Sequence, residues 1–161
     1  MRNILLYTGM VFLLACNNEG SEREIPSDTV IVAEETPASA PDRLLWISDY
    51  DTVKNQFYLK QQRTINADTL TAASLINDLN AAWENVKLVF VKTSNDTLYV
   101  AIPDSKFLGQ QMGSAGAQAY MASTTFSLTE LKGIRYVNYD MPSGDHISAG
   151  TFSRKDFENY R

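Results

Sequence analysis

The residues best suited to catalysis surround the single histidine of the chain. His146 follows Asp145 and lies close to Ser143 and Ser148, the residue types of a serine hydrolase triad. A triad needs a base within about 3 Å of its nucleophile and an oxyanion pocket, and the chain has no Gly-x-Ser-x-Gly sequence to supply them. We therefore interpret His146 as a histidine in a surface turn and predict no catalytic residue.

Two pairs of carboxylates offer a different chemistry. Asp49 with Asp51, or Asp140 with Asp145, would suit glycan hydrolysis if the paired carboxyl groups stood roughly 5 to 9 Å apart. The sequence carries no measure of that distance. Acidic residues at strand ends account for both pairs equally well.

A glycine-rich segment precedes a predicted helix. Backbone N–H groups at such a point can cradle an anion, and Gly113, Ser114 and Gly116 are the candidate residues for an anion or loop site. The segment lacks the Lys-Ser/Thr end of a phosphate-binding loop. We therefore interpret it mainly as a flexible loop, beginning at Gly109, that lets the helix approach the sheet.

Composition excludes several classes of function. One histidine and one cysteine rule out a zinc finger, a disulfide framework or a His/Cys metal cage built by one chain. The formal net charge of −5 lacks the positive surplus of a nucleic-acid binder. We predict no metal, no cofactor and no nucleic-acid partner.

The most specific pattern is at the N-terminus. A basic start is followed by an apolar run over residues 4–15, which is shorter than the roughly 20 residues of a membrane-spanning helix and is typical of a signal peptide. The run ends at Ala15-Cys16, which resembles the bacterial lipobox, so we predict a lipoprotein signal peptide over residues 1–15 and lipidation of Cys16. Acyl chains on that sulfur would hold the protein on a membrane. Asn17 rather than Asp suggests the outer membrane, by resemblance to sorting rules in enteric bacteria.

The net charge of the mature chain comes entirely from the segment after the cysteine. Residues 17–42 contain seven acidic residues, one basic residue and no aromatic residue, whereas residues 43–161 contain twelve of each sign. We predict that residues 16–42 form a lipidated cysteine with a disordered acidic tether, and that residues 43–161 form a neutral domain. Such a tether spans about 25 to 30 Å on average and roughly 90 Å when fully drawn out.

The elements of the domain follow from hydrophobic spacing. Leu75, Ile76 and Leu79 recur as on one helix face, and Leu98, Val100 and Ile102 alternate as in a strand. The full prediction is strands over 44–50 and 56–60, a helix between 68 and 85, a hairpin over 86–92 and 97–102, a helix over 114–131, a strand over 134–139 and a polar tail or frayed helix over 154–161. This order predicts a single α+β domain, a mixed β-sheet with two helices packed on one face.

Three finer points accompany these elements. Asp68 or Thr69 is expected to cap the first helix, and Asn85 is expected to end it in a left-handed turn. The run Ser127 to Glu130 also reads as a capping box for a separate short helix, although we favour one continuous helix.

Tyrosines are the candidates for a binding surface. Trp83 lies on the apolar face of the first predicted helix and is assigned to the core. Tyr99, Tyr136 and Tyr139 are predicted to form an exposed patch.

Five local segments carry a family resemblance, namely Asp96–Ile102, Ser105–Leu108, Gly113–Gly116, Ser127–Leu131 and Gly133–Val137. They resemble the GerMN-type domain, named for bacterial spore-germination and sporulation proteins and found in other envelope lipoproteins. The resemblance covers residues 44 to about 157, and the loop over residues 141–145 is longer than the family's glycine turn. It implies a non-catalytic envelope domain, with some relatives taking part in ring-like or scaffold assemblies, and supplies no active-site residues.

Taken together, these patterns predict a lipoprotein of the bacterial cell envelope, anchored to a membrane by lipid. Its domain is expected to bind another envelope protein or peptidoglycan without catalysis. Two alternatives stay open. The first is a small periplasmic hydrolase acting on glycan or peptide, which a cleft with converging titratable groups would favour. The second is a structural oligomer subunit with a self-complementary surface.

Overall fold

The computed structural model describes residues 40–64 and 66–160, so the predicted signal peptide, Cys16 and nearly all of the tether lie outside it. Short turns are found at Ala40–Arg43 (3-10), Phe107–Gln111 (π-helical) and Arg154–Tyr160 (3-10, interrupted at Phe157). The regular elements are β1 Trp46–Asp51, β2 Gln56–Gln61, α1 Ala72–Ala82, β3 Val89–Ser94, β4 Thr97–Ala101, α2 Gly113–Leu128, β5 Tyr136–Asp140 and β6 Gly150–Phe152.

The strands form two sheets. β3, β4, β5 and β6 make a four-stranded sheet in that order, in which β4 and β5 run parallel and the other neighbours antiparallel. This confirms the predicted α+β domain with a mixed sheet and two helices. The strands β1 and β2 pair only with each other among the described residues, as a separate antiparallel hairpin.

Helix α2 lies between the two sheets. On one side the Thr125 hydroxyl is 3.1 Å from the Tyr139 hydroxyl of β5, and on the other the Phe126 ring meets the Trp46 ring of β1 at 5.2 Å. Every residue from Ala119 to Leu128 is buried. Burial on all sides explains why α2 carries no clear apolar stripe. None of the helices in the described ranges is long and apolar enough to cross a membrane.

Helix α1 is amphipathic, as the spacing predicts, and Leu75, Ile76 and Leu79 are buried in the core. Its predicted ends are wrong. Thr71 is the N-cap and forms a capping box with Ser74, and the helix closes at Trp83 rather than in a left-handed turn at Asn85.

The β3–β4 hairpin forms where it is predicted. Asn95 takes the left-handed conformation in the turn, with φ of 55°. The strand β3 begins three residues later than expected, at Val89, because the Asn80 side chain bonds both backbone groups of Leu88, accepting from the N–H at 2.7 Å and donating to the carbonyl at 2.9 Å.

The second helix is continuous, so no separate helix starts at the predicted capping box. The Ser127 hydroxyl instead donates to the Ser123 carbonyl at 2.8 Å, within α2. The helix ends at Leu128, three residues before the predicted end, and Gly133 follows in a left-handed turn with φ of 82°.

Candidate functional site

One side of the four-stranded sheet faces away from the helices. Leu98 and Val100 of β4 and Val137 of β5 point to the core and are fully buried, so the residues that alternate with them point the other way. We call this second side the open face. All of its residues are partly or fully exposed, namely Val89, Lys92, Ser94, Thr97, Tyr99, Ala101, Tyr136, Asn138, Asp140 and Thr151.

Two of the three predicted tyrosines lie on the open face. Tyr99 is half-buried, with the Lys92 ammonium 4.8 Å from its ring centroid. Tyr136 is 40% exposed, and the Arg135 guanidinium lies 5.9 Å from its ring centroid. Both rings therefore carry a neighbouring cation, which is attracted to the ring face.

The third tyrosine does not belong to this surface. Tyr139 is 1% exposed and points to the helix side, where its hydroxyl bonds that of Thr125. Burial raises the pKa of Tyr139 far above its usual range. The prediction was wrong because both alternating sets of β5 carry apolar residues, so sequence alone did not decide which set faces the core.

The edge strand β3 is exposed along its whole length. Val89, Phe90 and Val91 are 47%, 47% and 52% exposed, although each has an apolar side chain. The pairing of β3 with β4 is irregular between Phe90 and Lys92, so Val91 is the extra residue of a bulge. Val91 lines a shallow cleft of about 410 Å³ on the open face together with Tyr99.

An ion pair secures the open face where β5 begins. Arg135 donates from Nε at 2.8 Å and from Nη2 at 2.5 Å to the Asp96 carboxylate, and its backbone N–H donates to the Asp96 carbonyl. The Arg135 hydrogen bond lowers the pKa of the Asp96 carboxyl. The pair joins the β3–β4 turn to the segment that leads into β5.

A second group of functional residues meets at the N-terminal end of α2. The Ser114 hydroxyl lies 2.9 Å from His146 Nδ1, across 32 positions of sequence. Ser114 is exposed, whereas His146 is half-buried. The anion-site prediction had named Ser114 and the hydrolase alternative had weighed His146, but no sequence pattern connects them, because only the fold brings the two segments together.

The glycines around Ser114 serve the backbone. Gly113 has φ of 70°, a conformation that glycine adopts at no steric cost, where the chain passes from the π-helical turn into α2. Gly116 is inside α2, and a Cβ there would lie 2.8 Å from Met112 Cγ. The expected flexible loop is therefore wrong, since most of this segment is helical.

Backbone packing holds the loop that carries His146. A Cβ added to Gly144 would lie 2.8 Å from Gly109 Cα, so the loop backbone rests directly on the π-helical turn. The Ser105 hydroxyl donates to the Pro142 carbonyl at 2.8 Å, and the Gly144 N–H donates to the Ile147 carbonyl at 2.9 Å. These contacts fix His146 opposite Ser114.

A cleft of about 380 Å³ adjoins the His146 member of this pair, and Ser114 is not among the residues that line it. His146 lines it, as does Gln118, which is one turn after Ser114 on α2. Asp156 also lines the cleft and accepts bonds from the Ser153 backbone N–H and hydroxyl, which lower the pKa of the Asp156 carboxyl. The apolar side chains that line the cleft are Met121, Ile147, Phe152, Phe157 and Tyr160.

The first carboxylate pair, Asp49 and Asp51, forms hydrogen bonds within the β1–β2 hairpin. Asp49 accepts from the Tyr58 hydroxyl at 3.1 Å, and Asp51 accepts from two backbone N–H groups of the turn. These bonds fit structural acids. Within residues 40–64 and 66–160, no group of three or more His, Cys, Asp or Glu side chains is placed to hold a metal ion.

Comparison of the chain with family models, curated proteins and solved structures gave no match. The resemblance to the GerMN-type domain therefore stays a prediction.

Proposed function

We propose that the protein is a lipid-anchored lipoprotein of the bacterial cell envelope whose domain binds another envelope protein through the open face and strand β3. The anchor is Cys16, and the acidic tether holds the domain away from the membrane. The open face and strand β3 serve to recognise that partner.

The observation that carries the proposal is the concentration of exposed apolar side chains on one sheet. Val89, Phe90 and Val91 of β3 and Tyr136 of β5 all remain exposed at 40% or more. Val89, Phe90 and Val91 follow one another along β3, whereas Tyr136 lies in line with Thr97 and Ser94 at the other end of the sheet. A run of exposed apolar residues marks an interaction site more often than isolated apolar residues do.

The chemistry of this surface favours a protein over a glycan. Phe90, Tyr99 and Tyr136 offer rings on which a sugar could stack, but Val89 and Val91 are aliphatic and offer none. In addition, β3 is an edge strand of the four-stranded sheet within residues 40–64 and 66–160, so its outer backbone groups are available to an added strand from a partner. Binding of peptidoglycan at this surface would replace the proposal of a protein partner.

The proposed anchor predicts where the chain is found. In cells fed labelled palmitate, the full chain should take up label and sediment with membranes, because acyl chains bury many CH₂ groups at about 0.8 kcal/mol each. The Cys16→Ser chain should take up none and leave the membrane fraction. Equal membrane association of the two chains would contradict the anchor.

Partner recovery tests the surface. The full chain, solubilised in mild detergent after crosslinking in cells, should bring down one or a few envelope proteins. The Val91→Glu variant should recover at least tenfold less, because a carboxylate placed in an apolar contact has to be desolvated.

Val53→Glu is the matched control. Val53 is 93% exposed in the turn of the β1–β2 hairpin, so the same change there should leave recovery as it is. Equal recovery by the Val91→Glu chain would refute the assigned surface. Recovery of cell-wall fragments alone would support peptidoglycan as the ligand. Recovery of further copies of this chain would support the alternative of a structural oligomer.

A further inference from the structure

We propose that Ser114 and His146 are the nucleophile and general base of a second site, which hydrolyses small uncharged carboxylic esters bound in the adjoining cleft. The site goes beyond the proposed binding function, because it lies at the N-terminal end of α2 and shares no residue with the open face. The proposal opposes the prediction from the sequence that the domain is non-catalytic.

The distance between the two side chains is that of a working pair. A serine hydroxyl is a weak nucleophile until a base within about 2.6–3.2 Å accepts its proton, and Ser114 Oγ is 2.9 Å from His146 Nδ1. With the ring proton on Nε2, Nδ1 has the lone pair that this transfer needs.

The pair is held by the fold. The His146 loop rests on the π-helical turn through Gly144 and Gly109, and a bond from Ser105, two residues before that turn, to the Pro142 carbonyl also holds the loop. A π-helical turn is rare in proteins and is frequent at functional sites. Reaction rates depend on such positioning, since a misplacement of about 1 Å can cost about 100-fold.

The same turn of α2 supplies hydrogen-bond donors. Ser114 is the second residue of the helix, and the first four N–H groups of a helix have no intrahelical partner. No side chain caps this end of α2. Backbone N–H groups next to the nucleophile are the usual donors to the oxyanion that forms during acyl transfer.

The cleft selects the substrate class. Its volume of about 380 Å³ suits a small ligand, and apolar side chains such as Ile147 and Phe152 suit an alkyl acyl chain. Asp156 is ionised at neutral pH, because hydrogen bonds from Ser153 lower its pKa. The carboxylate would repel an anionic substrate, so an uncharged ester fits best.

The reaction balances with water as the only co-reactant. His146 Nδ1 takes the hydroxyl proton while Ser114 Oγ bonds to the ester carbonyl carbon. The C–O bond to the leaving group then breaks, and the leaving oxygen takes that proton to depart as an alcohol. Water, deprotonated by His146, attacks the acyl-serine, releasing the carboxylic acid and restoring Ser114.

The test uses the full chain in detergent micelles with p-nitrophenyl butyrate as the probe. Hydrolysis should exceed the buffer rate, and Ser114→Ala and His146→Gln should each lower the catalysed rate by about 100-fold or more. The double variant should be no slower than either single one, because the residues act as a unit. Ser143→Ala, an exposed serine of the same loop, is the matched control and should keep the wild-type rate.

A fluorophosphonate probe gives a readout on the unmodified protein. Mass spectrometry should locate the label on Ser114 alone, and thermal melts should show that the Ser114→Ala chain stays folded. The proposal is overturned by hydrolysis at the buffer rate, by a Ser114→Ala chain as active as wild type, or by a label on another residue. An anionic ester hydrolysed faster than butyrate would overturn the substrate class.

Discussion

Replacing Arg154 with alanine should lower the free energy of unfolding by about 2–3 kcal/mol. Arg154 donates to Glu130 at 2.5 Å and to the Phe126 carbonyl at 3.0 Å from Nη2, and to the Thr129 hydroxyl at 2.8 Å from Nε. Its guanidinium also lies 5.6 Å from the ring centroid of Trp46. One side chain thus ties the C-terminal 3-10 turn to the end of α2 and to β1.

The size of the effect follows from the partial burial of these groups. Hydrogen bonds to charged groups are worth about 1.5–3 kcal/mol each, but water can replace part of them here, because the Arg154 and Glu130 side chains are 33% and 26% exposed. For a domain of this size, 2–3 kcal/mol corresponds to a fall in Tm of about 10 °C. The stability of Arg154→Lys should lie between that of the wild type and that of Arg154→Ala, since lysine keeps the charge and loses the planar guanidinium.

Urea unfolding and thermal melts of the full chain provide the assay, with Lys132→Ala as the matched control. Lys132 pairs with Asp68 at 3.1 Å, but the two side chains are 82% and 71% exposed, so that change should cost less than about 0.5 kcal/mol. If Arg154→Ala cost no more than Lys132→Ala, the reasoning from shared, partly buried contacts would be refuted.

Three further changes test other parts of the structure. Gly144→Ala should lower stability by about 1–3 kcal/mol in urea unfolding, because its Cβ would lie 2.8 Å from the facing backbone of the π-helical turn. Asp96→Asn should reduce the loss of stability between pH 7 and pH 3. The Arg135 bond lowers the folded-state pKa of Asp96, so its contribution is present at neutral pH and is lost as pH falls through that pKa. Tyr139→Phe should cost about 1–2 kcal/mol by leaving its buried helix partner without that bond, whereas the exposed Tyr136→Phe should cost under about 0.5 kcal/mol in the same melts.

Elements whose burial follows one strict period were predictable from the sequence. The three and four spacing of Leu75, Ile76 and Leu79 located α1, and the alternation of Leu98 and Val100 located β4 and its buried face. In both cases one side of the element meets the core and the other meets water, so the hydrophobic pattern carries the answer.

The parts that escaped prediction depend on tertiary context. Ser123, Thr124 and Thr125 favour a strand locally, yet the predicted helix forms there because packing on all sides of α2 outweighs propensity; only its end, at Leu128 rather than Leu131, was missed. The facing of Tyr139 and the separate β1–β2 hairpin likewise depend on which surfaces α2 covers.

The Ser114–His146 pair had no signal in the sequence that joined its members. Each residue stood in a segment singled out for a different reason, and 32 positions separate them. The two contacts that hold the His146 loop, of Gly144 with the π-helical turn and of Pro142 with Ser105, are equally non-local.

Photo-crosslinking from position 91 in living cells most directly tests whether this chain is an anchored recognition protein. A photoreactive residue replacing Val91, with Cys16 intact, should give a discrete adduct with an envelope protein, and the same residue at Val53 should not. The adduct should be lost when Cys16 is changed to serine. Adducts of equal yield and pattern from both positions, or none from position 91, would contradict the account.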